Sequence, residues 1–126
     1  MHRSRLAGFI IDCRTEDLDA AARFWGAALG LAVESAGAAG EAKYRRLRTA
    51  ADQLHVEVQQ VAHESRVHLD IEADDIEAEA RRLEALGARR IGTVQRWLVM
   101  QAPTGQRFCI VPVERGDFDA HANRWT

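Results

Sequence analysis

An α+β fold made of two β-α-β-β-β modules is predicted by three features of this 126-residue chain. The first is an internal repeat. Residues 8–23, followed by Ala28-Leu29-Gly30, parallel residues 66–81, followed by Ala85-Leu86-Gly87. The second is a change of period: each copy opens with apolar/polar alternation, the pattern of a strand, and passes into helical spacing. The third is what comes after each helix, namely three short strand-like runs divided by turn residues.

The elements follow in order. Residues 6–11 are apolar and form the first strand. Leu18, Ala22, Trp25 and Leu29 make one helical stripe; Glu16, Asp17 and Asp19 sit in its first turn, where the helix dipole favours acids, and Gly30 ends it. Strands are expected over 31–34, 42–49 and 53–61, with a Gly-rich loop over 35–40. In the second module Val67, Leu69 and Ile71 alternate with His68, Asp70 and Glu72. Ile76, Ala80, Leu83 and Leu86 form the second helical stripe. Asp74 with Glu77 has capping-box spacing, Glu77 and Arg81 form an i,i+4 pair, and Gly87 is the stop. Strands over 89–93, 96–102 and 107–113 close the module, the last two joined by the turn Ala102-Pro103-Thr104-Gly105. The organisation is one domain over 1–114, with modules at about 6–61 and 66–113. A polar tail over 115–126 frays or packs across a subunit boundary.

Bulk properties exclude several function classes. The chain is 47% hydrophobic and 29% charged, with 17 basic and 19 acidic residues and a net charge of -2. That balance supplies no electrostatic footprint for nucleic acid or an anionic membrane. No apolar run approaches the roughly 18 residues of a membrane span. The basic start over 1–5 precedes an apolar run too short for a signal sequence. Cys13 and Cys109 have neither CxxC nor Cys/His spacing, so both are read as reduced thiols of a cytoplasmic protein.

Several segments carry a resemblance. Asp17-Leu18 precedes a helix containing Phe24-Trp25 and ending Leu29-Gly30. His68-Leu69-Asp70 leads through Asp74-Asp75 into a helix ending Leu86-Gly87-Ala88. Ala102-Pro103-Thr104-Gly105-Gln106 precedes the last strand. In order and spacing these resemble the vicinal oxygen chelate superfamily, which includes glyoxalase-like and bleomycin-resistance-like proteins. The resemblance implies a cup-shaped sheet with helices outside and a ligand cleft within. It also implies one metal-ligand position on the first and last strand of each module. These positions fall on Gly8 or Ile10, on Glu57 or Gln59, on His68, and on Cys109 where a Glu is usual. Neither Gly8 nor Ile10 offers a donor side chain, and Asp12 is the nearest substitute.

The strand faces support the same region independently. His55, Glu57 and Gln59 share a face, as do His68, Asp70 and Glu72, while Trp97 shares one with Val99 and Gln101. The apolar faces are expected to meet the helices. His68 and Glu57 are the candidate acid and base, an imidazole exchanging protons near neutral pH. His55, Gln59, Asp70, Trp97 and Cys109 are the candidate ligand-binding residues. The expected function is binding of a small organic molecule without a resident metal. The alternative is a lyase, isomerase or dioxygenase-type enzyme using a degenerate divalent-metal site or His68/Glu57 chemistry. The arginine pairs at 45–46, 81–82 and 89–90 are expected on solvated surface or at a homodimer contact.

Overall fold

The structure, a computed structural model, describes residues 1–34 and 43–126. The loop expected over 35–40 and the start of the strand expected over 42–49 lie outside the described residues. The chain forms two compact units: a middle unit of Phe9–Val67, and a terminal unit of Met1–Gly8 with His68–Thr126. Strand β1 (His2–Arg14) contributes to both, as does β4 (Arg66–Ala73).

In the middle unit α1 (Leu18–Leu29) follows β1. The Asp17 side chain caps it by accepting from the Ala20 N–H, which satisfies one of the helix's free N-terminal donors. Gly30 ends it at φ 69°, in the left-handed region where a side chain is strained. Strands β2 (Tyr44–Leu47) and β3 (His55–Val61) pair antiparallel, with Leu47 opposite Val56. In place of the strand expected over 31–34, Val33 makes a single bridge to Leu47. The core is Leu18, Leu47 and Val58, flanked by Cys13, Ala21, Trp25 and Val56. The apolar stripe of α1 runs short: Leu29 is exposed, and Gly26 is buried instead. A Cβ at Gly26 would stand 2.9 Å from the Leu31 carbonyl oxygen, so close packing of the chain after the helix requires glycine there.

In the terminal unit β4 is followed by α2 (Ile76–Ala85), β5 (Arg89–Val94), β6 (Trp97–Gln101) and β7 (Arg107–Pro112). Strand β4 pairs parallel with β7, placing Leu69 beside Phe108 and Asp70 beside Cys109. The antiparallel β6–β7 and β5–β6 pairs complete the order β4-β7-β6-β5. Ala73, Ala80, Met100 and Ile110 form the core with Ile76, Leu83, Leu98 and Phe108. The helix therefore covers one face, and His68, Asp70, Glu72, Cys109 and Val111 turn to the other. The expectation that the apolar face of β4 is covered throughout is corrected. Val67 is 59% and Leu69 43% exposed, because the core of α2 reaches only the Ala73 end of the strand. The cap of α2 is Asp75, which accepts from the Ala78 N–H; Asp74 instead accepts from the Arg3 N–H.

The tail does not fray. It forms α3 (Phe118–His121) and β8 (Asn123–Trp125), and β8 pairs with the start of β1, His2 opposite Trp125. Two fully buried carboxylates hold it. Glu72 accepts from Arg5 Nε, from Arg115 Nε at 2.8 Å, and from the backbone N–H groups of Glu114 and Arg115. Glu79 accepts from His2, Ser4 and Arg82, while Arg82 stacks 3.8 Å over the Trp125 ring and Trp125 Nε1 donates to Ser4. Several expected surface arginines are likewise engaged: Arg45 with Asp19, Arg46 with Glu57, Arg82 with Glu79, and Arg90 with Glu77 and Glu84.

Burial pushes the Glu72 and Glu79 carboxyls up. The hydrogen bonds from Arg115 and from Arg82, with their other donors, outweigh it and hold both below the usual value of 4.5. A carboxyl lowered in the folded state contributes stability above its unfolded value, and that stability is lost as pH falls through the folded value. Stability measured by urea unfolding is therefore expected to fall as pH drops below about 4.5, and Glu72→Gln is expected to flatten that dependence. Glu72→Gln also leaves two guanidiniums without their shared anion, and the expected loss at neutral pH is about 3–5 kcal/mol. An unchanged urea midpoint would contradict this assignment.

Candidate functional site

The terminal unit gathers a polar cluster on the sheet face turned away from α2. His68 and Asp70 stand two apart on β4, so both project to the same side. His68 Nε2 lies 3.4 Å from Asp70 Oδ1. Asp70 is directly beside Cys109 in the parallel register, and one donor atom from each of His68, Asp70 and Cys109 lies within 4.8 Å of the others. Asp70 and Cys109 are 7% and 8% exposed, so the cluster is largely desolvated. Val99 lies opposite Cys109, and Trp97, two residues before it on β6, presents its half-buried indole to the same face. Glu72, next on this face of β4, is consumed by Arg5 and Arg115 and is structural.

In chemical terms the cluster joins an imidazole, a carboxylate that can orient it, and a thiol, on the sheet face that also carries Trp97. The three donors also fit a divalent ion of the zinc type, which accepts nitrogen, oxygen and sulfur ligands and keeps an open position in catalytic sites.

The remaining candidates lie in the middle unit. His55, Glu57 and Gln59 alternate along β3 with Val56 and Val58, which belong to the core, so the three share the opposite face. Glu57 is engaged by Arg46 Nη2 at 2.9 Å, Gln59 donates to the Tyr44 hydroxyl at 3.1 Å, and His55 is buried. Asp12 is 2% exposed, with Arg66 Nε 3.8 Å away. Burial pushes the Cys13 thiol up, against activation of that sulfur.

The two units can be aligned by their own geometry. The helix caps Asp17 and Asp75 stand 58 residues apart, and the pair Leu47–Val56 matches Met100–Phe108. By this alignment Ile10 is the counterpart of His68, Asp12 of Asp70, and Glu57 of Cys109. Reading by sequence alone left Gly8 and Ile10 as alternatives. The equivalence of the two buried aspartates was available from the constant offset of the repeat. The partners of Glu72 were not, because Arg115 lies in a stretch with no periodicity.

Residues 8–111 match the family model described as a glyoxalase-like domain. Among solved structures, the chain resembles methylmalonyl-CoA epimerase from Mycobacterium tuberculosis at 19% identity and TM-score 0.59, covering 86% of this chain and 88% of that one. It resembles the Mn(II)-bound glyoxalase from Novosphingobium aromaticivorans at 17% identity and TM-score 0.59, covering 90% of this chain and 43% of that one. It also resembles the hypothetical protein BH1468 from Bacillus halodurans at 11% identity and TM-score 0.60, covering 89% and 96%. No protein of curated function matches. These likenesses establish the α+β glyoxalase fold. Among the described residues no helix is long and apolar enough to cross a membrane.

Arg46 is half exposed, so its pair with Glu57 is worth about 0–1 kcal/mol. Arg46→Ala is expected to leave the urea midpoint nearly unchanged. A large loss of stability would make Glu57 a structural anchor and remove it from the candidate site.

Proposed function

The chain belongs to the glyoxalase-like domain family of the vicinal oxygen chelate superfamily, and on that premise we propose that it binds a small organic molecule on the face carrying His68, Asp70, Cys109 and Trp97. The observation that carries this reading is the largely buried His68–Asp70–Cys109 cluster. Buried polar groups cost free energy unless partnered, so convergence of three on one sheet face is the chemistry of a recognition site. The ligand lays a flat apolar body against Trp97 and turns an oxygen-bearing end to His68, which gives or takes a proton there while Asp70 orients the ring. In this reading His68 serves the organic molecule directly and holds no resident metal.

A second reading, a lyase or isomerase, is favoured by the convergence of the three donor atoms within 4.8 Å of one another. His68, Asp70 and Cys109 would hold the ion, which would polarise an oxygen of the bound molecule. In this reading His68 is a ligand rather than a free acid or base.

The test is a thermal-shift panel of aromatic carboxylic acids and enolisable carbonyl compounds against wild type and His68→Ala. A ligand at a hundredfold excess over Kd stabilises by about 2.7 kcal/mol. The expected result is stabilisation of the wild type that His68→Ala loses. If no compound separates the two proteins, the site is misassigned.

We place the protein in the cytoplasm as a homodimer. Both cysteines are free thiols, and the terminal unit leaves Leu69 on β4 and Ile91 and Val94 on its edge strand β5 exposed. Light scattering is expected to give the dimer mass, and a clean monomer would contradict it.

A further inference from the structure

The middle unit carries a cleft of about 610 Å³ that the proposed ligand face does not use. Arg14, Thr15 and Glu16 line it from the end of β1 and the turn into α1, Lys43 from just before β2, and Gln60 with its two successors from the end of β3. Its size is that of sites for small molecules.

The walls are braced by hydrogen bonds. Gln60 Nε2 donates to the Thr15 carbonyl at 2.8 Å, the Gln60 N–H to the Lys43 carbonyl at 2.9 Å, and the Arg14 N–H to Ser65 Oγ at 2.9 Å. These bonds use the amide and backbone groups and leave the two cationic heads over. Among the described residues neither Arg14 nor Lys43 forms an ion pair. Arg14, Lys43 and Glu16 are all exposed at the rim, and Glu16 offsets one of the two positive charges, so the cleft stays net positive.

The repeat shows what fills such a place. Arg14 precedes Glu72 by the same 58 residues that separate Asp17 from Asp75. In the terminal unit the ends of β4 and β7 are closed by the chain itself. Glu72 there takes the Arg115 side chain and the N–H groups of Glu114 and Arg115. After β3, residues 62–65 run directly into β4, and the corresponding place stays open. The strand-end charge is reversed as well, a cation standing where the other unit has an anion.

We infer that this cleft binds the anionic group of a small molecule, a carboxylate or a phosphate, between Arg14 and Lys43. A guanidinium offers two parallel N–H donors to such a group and an ammonium adds a point charge. The inference does not rest on the proposed function, because every residue it uses lies in the middle unit.

The test is titration of 15N-labelled protein with pyrophosphate and, separately, with tricarballylate at constant ionic strength. The expected result is saturable movement of the amide signals of residues 14–16, 43 and 60–62 by at least one probe, the stronger probe identifying phosphate or carboxylate as the group bound. Arg14→Gln with Lys43→Gln is expected to weaken binding about tenfold or more, and Glu16→Gln to tighten it. Signals that drift without saturating, or saturable binding that the double variant leaves intact, would overturn the inference.

Discussion

Glu72 is the constraint on which the terminal unit depends. Its carboxylate is completely buried, and a buried charge persists only when partnered and hydrogen-bonded. Here two guanidiniums and two backbone N–H groups meet that need. To supply them, the segment after β7 must return to β4, and Arg5 must project from β1 on the same side. Glu72 also sets the face of β4. A slip of one residue would turn the carboxylate into the core under α2, so the alternation is locked. With Glu72 turned away from α2, Asp70 and His68 must be as well, and the parallel register then brings Cys109 beside Asp70. The polar cluster is a consequence of that lock.

Glu79 extends the same logic from the helix side. It ties His2 and Ser4 of β1 to α2, and its partner Arg82 stacks on Trp125 of β8. Both ends of the chain are thereby held to one unit by buried carboxylates rather than by apolar contact alone. The internal repeat supplies two similar frames, and the chemistry placed on them has diverged. One frame carries His68, Asp70 and Cys109; the other carries Ile10, Asp12 and Glu57 at the matching places. The aspartate is kept and buried in both, while its neighbours differ. The same divergence puts Arg14 opposite Glu72 in the alignment.

Most of the fold was legible because it is written in period and punctuation. The change from alternation to helical spacing located both helices, and Gly30, Gly87 and the Pro103-Thr104-Gly105 turn marked ends that the structure keeps. The run over 31–34 reads as a strand because it is apolar; the structure reduces it to a single bridge, Val33 with Leu47, flanked by the Glu34–Arg46 and Arg48–Ala32 backbone hydrogen bonds. Asp74 reads as the cap because Glu77 follows it at capping-box spacing. Asp75 caps the helix instead, and Asp74 is taken by the N–H of Arg3, 71 residues from it in sequence. His68 and Asp70 were legible as neighbours from their spacing. Their approach to Cys109 depends on strand register, which local pattern does not encode. The tail was the least legible part, because its order comes from pairing with distant Glu72 and Glu79 rather than from any periodicity of its own.

The central claim is that His68 serves an organic ligand and not a resident ion. Elemental analysis of protein purified without a polyhistidine tag, followed by zinc titration of wild type and His68→Ala, tests it most directly. The account predicts substoichiometric metal on purification and zinc binding no tighter in the wild type than in the variant. Stoichiometric metal in the wild type that disappears in His68→Ala would contradict it and make His68, Asp70 and Cys109 a metal centre.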